Sequence, residues 1–362
     1  MIAAGAPVQR PLDAKLLVVG AGGDIAQRPR SEFAEVLDRG DVAIANDAAT
    51  LPASLFGRHV RSGAAIEVRL AGRRSLRDVK HFSAVVFGAG DFHTRTEDRP
   101  RPPRLKPGDL LELGPLAATV THVLDHPRHI ALHIEGSPRQ IWEGLARHGR
   151  PIQYAHVATP LALWDTWTAI AGPPVAFEPP SAGFALDWRM LASMAARGVR
   201  FGAITHSAGI SSTGDAALDE LLPFDERYCI PQSTAALIGD ARLRGRRVIA
   251  IGTSVVRALE HAAAMHDGIV EAGEGLATGR IGVSSRLRTV DAILSGVHEP
   301  GSSHYELLRA FVSDERLVAV NRELNARDFR AHEFGDSVFI ERAEHKARSR
   351  AAVPSPDEAQ SH

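Results

Sequence analysis

The chain has 362 residues, a formal net charge of −1 and a single cysteine, Cys229. One cysteine excludes an intramolecular disulfide and indicates a reducing compartment, so we expect a cytoplasmic protein. No apolar run approaches the roughly 20 residues that cross a bilayer, and the first nine residues lack the pattern of a signal peptide. We therefore expect no membrane partner, and the near-neutral charge does not by itself indicate a nucleic-acid partner.

Residues 15–19 predict a short apolar strand, which a glycine-rich turn at 20–24 follows. A dinucleotide-binding motif needs its third glycine at position 25, which is Ile25, and Pro29 interrupts the helix that should come next. A β-hairpin is therefore predicted here rather than a nicotinamide site. Residues 31–38 then predict a short amphipathic helix, and residues 41–46 a buried strand.

From residue 58 to about 135 the pattern changes to short strands separated by turns, which is typical of a small barrel or sandwich. The predicted strands are 65–70, 82–87, 110–113, 117–124 and 129–135. The same part of the chain concentrates basic residues, which form either a solvated surface or a face that contacts phosphate. These residues are Arg58, Arg61, Arg69, Arg73, Arg74, Arg77, Lys80, Arg95, Arg99, Arg101, Arg104 and Lys106.

Four histidines in this region have a spacing that would suit a metal site on a helix: His122, His126, His129 and His133. Pro127 breaks such a helix, and the alternation with Ile130 and Leu132 indicates a strand hairpin instead. His129 and His133 are then expected on its polar side. Because a metal site needs ligands that converge, we predict that no metal is bound.

Beyond residue 150, predicted helices and strands alternate as far as Ile340, and residues 343–362 are expected to be a disordered tail. Residues 246–261 (RRVIAIGTSVVRALEH) are the most informative stretch, with an apolar strand, a glycine turn and a helix start. Thr253 or Ser254 is predicted to cap this helix, whose free N–H groups suit a polar ligand. Arg257 and Glu260 lie one turn apart, where they can pair or bind the ligand.

Five segments in chain order resemble motifs of the S-adenosylmethionine:tRNA ribosyltransferase-isomerase family of queuosine biosynthesis. They are residues 46–57 (NDAATLPASLFG), 179–186 (PPSAGFAL), 248–260 (VIAIGTSVVRALE), 295–303 (SGVHEPGSS) and 334–340 (FGDSVFI). The resemblance extends over nearly all of residues 15–340, with too many ordered matches to arise by chance. The chain is identified as a diverged member of this family.

The resemblance implies an α/β fold in which a main domain with a mixed sheet, residues 1–57 and 150–342, is interrupted by a small β-barrel domain at 58–149. It also implies an enzyme that transfers the ribosyl part of S-adenosylmethionine to a modified deazaguanine in tRNA and isomerises it. Adenine and methionine leave, and a base removes a proton beside the sulfonium. S-adenosylmethionine is then a co-substrate, no metal or further cofactor is needed, and we expect a monomer.

The sequence departs from the family motifs where chemistry is expected. Four positions replace an arginine, histidine or asparagine of the family, namely Ala49, Ser54, Ala185 and Gly296. These changes remove phosphate-binding and proton-transferring side chains. Three residues that remain are the candidate catalytic groups, namely His206, Glu226 and His298.

Candidate substrate-binding residues come from the matching positions. They are Asn46, Asp47, Ser181, Gly183, Gly252, Thr253, Ser254, Arg257, Glu260, Ser302 and Asp336. An alternative hypothesis is a diverged paralogue that binds a nucleoside-like small molecule or a protein partner without this catalysis. Binding of tRNA with a strong salt dependence would count against that alternative.

Overall fold

The largest element of the computed structural model, which describes residues 1–342, is a nine-stranded mixed sheet. In spatial order its strands are Gly273–Ala277, Glu226–Ile230, Arg200–His206, Val42–Asn46, Val248–Ile251, Ala292–Gly296, Ser337–Glu341, Lys15–Val19 and Ile25–Pro29. The third to the sixth run parallel, while antiparallel pairs lie toward both edges. Strands buried on both faces are expected to be continuous apolar runs, as Val248–Ile251 is.

Helices cover both faces of this sheet because successive strand side chains point to opposite sides. On one face, Ile44 and Ala250 pack with residues of Gln232–Leu243, Thr253–Met265 and Asp314–Ala326. On the other face, Ala45 and Ile251 pack with residues of the helix Trp188–Ala196 and the 3-10 helix Arg30–Val36. The remaining helices are Pro138–His148, Ala216–Asp219 and Ser303–Leu308, with 3-10 turns at Thr96–Asp98, Leu163–Thr166 and Ser181–Ala185.

A closed six-stranded barrel forms the second part of the fold. Around the barrel the strands are Leu116–Val123, His129–Ile134, His81–Phe87, Ala65–Arg73, Ser54–His59 and Leu110–Leu113. Helix Pro138–His148, which Ser137 caps through a capping box, packs Ile141 and Leu145 against the barrel core. The predicted fold class is thereby confirmed. The first barrel strand begins at Ser54, four residues before the predicted domain limit, and the limits themselves stay predictions.

Two short strand pairs complete the described chain. Ile2–Ala3 pairs in parallel with Arg330–Ala331, and Pro174–Ala176 pairs in parallel with Ala49–Thr50. The second pair holds the proline-rich segment before residue 178 against the main domain. In residues 1–342 no helix is long and apolar enough to cross a membrane.

The N-terminal predictions are largely confirmed. Lys15–Val19 and Ile25–Pro29 form the predicted antiparallel hairpin. The segment expected to be an amphipathic α-helix is instead the 3-10 helix Arg30–Val36, which has no side-chain cap and ends where Leu37 adopts an extended backbone. Its length of seven residues is too short for an uncapped α-helix to be favoured. The predicted tail, 343–362, lies outside the described residues.

The prediction that His129 lies on a polar barrel face is wrong. Its ring stacks on Phe224 of the main domain at a centroid distance of 4.0 Å, and the residue is 5% exposed. Burial lowers the pKa of His129 to about 4. The hydrophobic periodicity of one strand could not predict this burial, because the contact is made by Phe224, which is almost 100 residues away in sequence. Within residues 1–342 no group of three or more His, Cys, Asp or Glu side chains is placed to hold a metal ion.

Three of the barrel-region arginines are neither solvated nor available to phosphate. Arg69, Arg73 and Arg99 are buried, with exposed fractions of 1%, 8% and 8%. Arg69 and Arg99 both pair with the buried carboxylate of Glu67, which also accepts a hydrogen bond from Ser54. The prediction of a face that contacts phosphate therefore concerns only the exposed basic residues of this region, such as Arg74 and Arg101.

Candidate active site

A cavity of about 640 Å³ lies at the carboxyl ends of the central parallel strands. Its volume is within the range of pockets that hold small-molecule ligands. The walls come from parts of six segments, namely 178–182, 208–211, 216–226, 252–257, 280–285 and 295–307. Open α/β sheets bind ligands at this edge because loops and helix N-termini converge there.

The turn at Gly252 forms the inner wall of the cavity. Gly252 has φ +102° and ψ 152°, a conformation that side chains other than hydrogen disfavour, and it is the N-cap of helix Thr253–Met265. No side chain caps this helix, so the expectation that Thr253 or Ser254 does so is wrong. Thr253 and Ser254 instead line the cavity, at the positive end of the helix dipole.

Glu226 and Arg257 form a buried ion pair on the cavity wall. Nη1 of Arg257 donates to Oε2 of Glu226, while Oε1 accepts from the backbone N–H of Gly209 at 2.5 Å. Nη2 of Arg257 donates to the carbonyl oxygens of Phe224, Ala277 and Gly279. The pair therefore fixes three loops around the cavity as well as presenting polar atoms to it.

His206 lies behind this pair. Its Nε2 is 3.4 Å from Oε2 of Glu226, it has no exposed surface, and burial lowers its pKa to about 4. Asn46 anchors this segment, since its side chain accepts from the His206 N–H and donates to the His206 carbonyl oxygen, both at 2.9 Å. The same amide reaches Oγ of Ser254 at 3.4 Å. Asn46 and His206 thus position the wall without lining the cavity themselves.

His298 lines the opposite wall and stacks on His304, with ring centroids 4.5 Å apart. Burial lowers the pKa of both imidazoles, that of His298 to well below its usual range. At neutral pH both rings are therefore uncharged, and each keeps a nitrogen lone pair that can accept a proton.

Four predicted site residues have structural partners instead of a place on the cavity wall. Glu260 does not pair with Arg257, because its carboxylate accepts from the backbone N–H groups of residues 288–290 at 2.6–2.9 Å. Ser302 caps helix Ser303–Leu308. Asp336 accepts from the backbone N–H groups of Lys15 and Arg330, each at 2.8 Å. Asp47 accepts from the Thr205 hydroxyl at 2.7 Å, and burial raises its pKa.

Ser181 lines the cavity, whereas Gly183 lies beneath the wall. A Cβ on Gly183 would come within 2.9 Å of a Thr168 methyl group, so this glycine permits close packing. The structure therefore brings together Ser181, Gly252, Thr253, Ser254, Arg257, Glu226 and His298 around one cavity, with Asn46 and His206 directly behind.

Among the cavity residues that sequence analysis missed are Glu178, His304 and Arg280. Each lies just outside a matched motif or in a loop without periodicity. For His304 there was a usable signal, because it follows Ser303 at the end of the segment 295–303. For Glu178 the signal was a lone carboxyl in a proline-rich passage that strand pairing brings to the cavity.

A family model described as queuosine biosynthesis protein matches residues 1–340. The chain belongs to the queuosine biosynthesis protein family. Among similar proteins, the S-adenosylmethionine:tRNA ribosyltransferase-isomerase of Sorangium cellulosum is 32% identical over 367 residues, covering 94% of this chain and 95% of the relative. The protein of the same name from Geobacter sulfurreducens is also 32% identical, covering 92% of this chain and 94% of the relative.

The fold of this chain is also similar to that of a protein whose structure has been solved. The crystal structure of S-adenosylmethionine tRNA ribosyltransferase from Thermotoga maritima, at 2.00 Å resolution, is similar with a TM-score of 0.50 and 23% sequence identity. The match covers 94% of this chain and 96% of that chain. At that identity the likeness concerns the fold, which combines the sheet and the barrel described above.

Proposed function

We propose that this chain is an S-adenosylmethionine:tRNA ribosyltransferase-isomerase of queuosine biosynthesis. The observation that carries the proposal is the family match over residues 1–340, together with the cavity that the retained segment 252–257 lines. The relatives from Sorangium and Geobacter, which match over almost their whole lengths, carry this name. The alternative of a binding protein without catalysis is not favoured, since the relatives that match over almost their whole lengths are named as the enzyme.

The reaction requires one site to hold adenine, a sulfonium and an amine nucleophile together, which is largely a positioning task. The uncapped N-terminus of helix Thr253–Met265 suits the carboxylate of S-adenosylmethionine, because its N–H groups and dipole favour an anion. The hydroxyls of Ser254 and Ser181 supply further hydrogen bonds along the same wall. The acceptor is a modified deazaguanine in tRNA, which enters from the open side.

His298 is the proposed proton acceptor for the hydrogen beside the sulfonium. It faces the cavity, its imidazole is neutral at pH 7, and the stacked ring of His304 holds its orientation. Glu226, neutralised by Arg257, and His206 behind it position the wall and stabilise charge that develops in the transition state. The protein acts as a cytoplasmic monomer, with S-adenosylmethionine as co-substrate and no further cofactor.

A turnover assay tests this function directly. Purified protein is incubated with S-adenosylmethionine and tRNA carrying the aminomethyl-deazaguanine base, and adenine and the digested nucleosides are measured by mass spectrometry. We expect adenine release together with a nucleoside heavier by the isomerised ribosyl group. Unmodified tRNA is the matched control. Absence of both products, where another family member forms them, would contradict the proposal.

A further inference from the structure

Glu178 is a buried carboxyl on the cavity wall that takes no part in the roles assigned above. It is 8% exposed and lies in the proline-rich segment 178–182. Strand Pro174–Ala176 leads into this segment, and the backbone N–H groups of residues 177 and 178 bond to the carbonyl oxygen of Ala208. The backbone of Glu178 is therefore held by the strand pair before it and by Ala208.

Hydrogen-bond donors surround this carboxyl. The Tyr154 hydroxyl donates to Oε1 at 2.5 Å, and Ser211 donates from its hydroxyl and its backbone N–H. Donors of this kind favour the ionised form. Burial has the opposite and larger effect, and the nearby Glu333 adds to it, so the pKa of Glu178 is raised to about 7.

Arg69 is near enough for its charge to act on Glu178, but no cation is in direct contact with this carboxyl in the described part of the chain. Within residues 1–342 no Lys, Arg or His nitrogen forms an ion pair with Glu178, although Glu226 has Arg257 and Glu306 has Arg309. The groups behind Glu178 are already engaged, since Arg69 pairs with Glu67 and His156 pairs with Glu333. A buried carboxyl with its donors in place is completed by a positive charge that arrives with a ligand.

We propose that Glu178 is the counter-charge for the sulfonium of S-adenosylmethionine, and so the residue that selects this cation over neutral thioether analogues of the substrate. The inference rests on the proposed function, because it takes S-adenosylmethionine as the ligand of this cavity. Tyr154 is a positioning residue, whose hydroxyl fixes the carboxylate through its hydrogen bond to Oε1. Binding of the sulfonium ionises Glu178 and retains it in that form.

The test compares S-adenosylmethionine with S-adenosylhomocysteine, which has the same shape apart from one methyl group and has no sulfonium charge. Dissociation constants for both are measured by calorimetry with the wild-type chain and with Glu178→Gln. If binding lowers the pKa of Glu178 by one unit, the preference for the cation changes by about tenfold. We expect Glu178→Gln to lose that preference while its affinity for the neutral analogue changes less than about threefold.

The pH dependence provides a second readout. Glu178 of the free protein is ionised above about pH 7, so the wild-type preference for the cation should be larger at pH 8 than at pH 6. Tyr154→Phe removes a donor to the carboxylate and should move this transition to higher pH. In Glu178→Gln the preference should be the same at both pH values, with thermal unfolding confirming that the variant is folded.

Glu220→Gln is the matched control, since Glu220 is an exposed carboxyl at the rim of the same cavity where water screens its charge. It should change the preference less than about twofold. A wild-type preference that survives in Glu178→Gln at pH 8 would overturn the inference alone. Failure of the wild-type chain to bind S-adenosylmethionine would overturn the inference and the proposed function together.

Discussion

The molecule has two buried carboxylate–arginine clusters, one in the barrel domain and one on the cavity wall. Both are ion pairs, but they differ in whether a ligand can reach them. In the barrel, Glu67 is bonded to Arg69, Arg99 and Ser54, and all four residues are enclosed. On the cavity wall, Glu226 is bonded to Arg257 and the Gly209 N–H, and both charged residues also border open space.

The difference shows that a buried arginine does not by itself mark a functional site. Both oxygens of the Glu67 carboxylate are occupied by protein donors, so this cluster joins the strand Ala65–Arg73 to Ser54, Arg99 and Gln153 and offers nothing to a ligand. The cavity cluster leaves polar atoms facing a space of about 640 Å³, so a ligand can use them. Accessibility of the pair, rather than its charge, separates the structural cluster from the functional one.

Arg257→Met gives the largest expected effect. The substitution leaves the Glu226 carboxylate buried without its cation, and turnover should fall at least about 100-fold. Arg257→Lys keeps a charge and should recover part of the loss. The measurement is adenine release per folded molecule, with folding checked by circular dichroism. Turnover of Arg257→Met within a few-fold of wild type would break the distinction between the two clusters.

Arg99→Met tests the barrel cluster. It removes one of two cations from Glu67, and the free energy of unfolding should decrease by about 3 kcal/mol. Turnover per folded molecule should stay within about twofold of wild type, because the cluster does not border the cavity. Urea denaturation and the adenine assay provide the two values. A large loss of turnover without loss of stability would assign the barrel a catalytic part.

The free energy of unfolding should decrease at acid pH because of one buried histidine in each of the two regions. Burial lowers the pKa of His129 in the barrel and of His206 behind the cavity to about 4, while the unfolded chain keeps values near 6.5. Between pH 6.5 and 4 the unfolded state therefore binds more protons, and stability falls as the pH decreases.

In His129→Gln and His206→Gln this acid loss should be smaller than in the wild type by about 3 kcal/mol for each group. Urea denaturation at pH 6.5 and pH 4 measures the difference. The same pH dependence in wild type and variant would show that the histidine in question is not buried in its neutral form.

Gly252→Ala has the smallest expected effect on stability. The φ of +102° penalises a side chain, and the new Cβ would meet the Ala182 methyl group at 3.4 Å, so the cost should be about 1–2 kcal/mol. The KM for S-adenosylmethionine should rise as well. Gly245→Ala, also at positive φ but with open space around it, is the control and should leave that KM unchanged. Equal effects of both substitutions on KM would argue against a ligand at the Gly252 turn.

Local patterns were sufficient for much of this fold. The apolar run at Val248–Ile251, the glycine turn after it and five of the six barrel strands were predicted, because period and turn residues depend on neighbours in sequence. The strand Ser54–His59 was not. The resemblance supplied the order of the two domains. Ser181, Gly252 and Arg257 were predicted as site residues from the matched motifs, and all three line the cavity.

The remaining errors concern contacts between distant segments. From helical spacing, Glu260 was expected to pair with Arg257 or bind the ligand, but its carboxylate accepts from the backbone N–H groups of residues 288–290. Arg99 was expected either on a solvated surface or on a face that contacts phosphate, although it pairs with the buried Glu67. Glu178 had no motif at all. Such contacts form between residues that are distant in sequence, and the residue spacing within one helix or strand carries no information about them.

A crystal structure of this chain with bound S-adenosylmethionine tests the central claim most directly. The account predicts electron density for the ligand between the Gly252 turn and residues 178–181, with polar contacts to the first turn of helix Thr253–Met265. The cluster of Glu67, Arg69 and Arg99 should be unchanged. Ligand density at the barrel, or anywhere outside the cavity at Gly252, would contradict it.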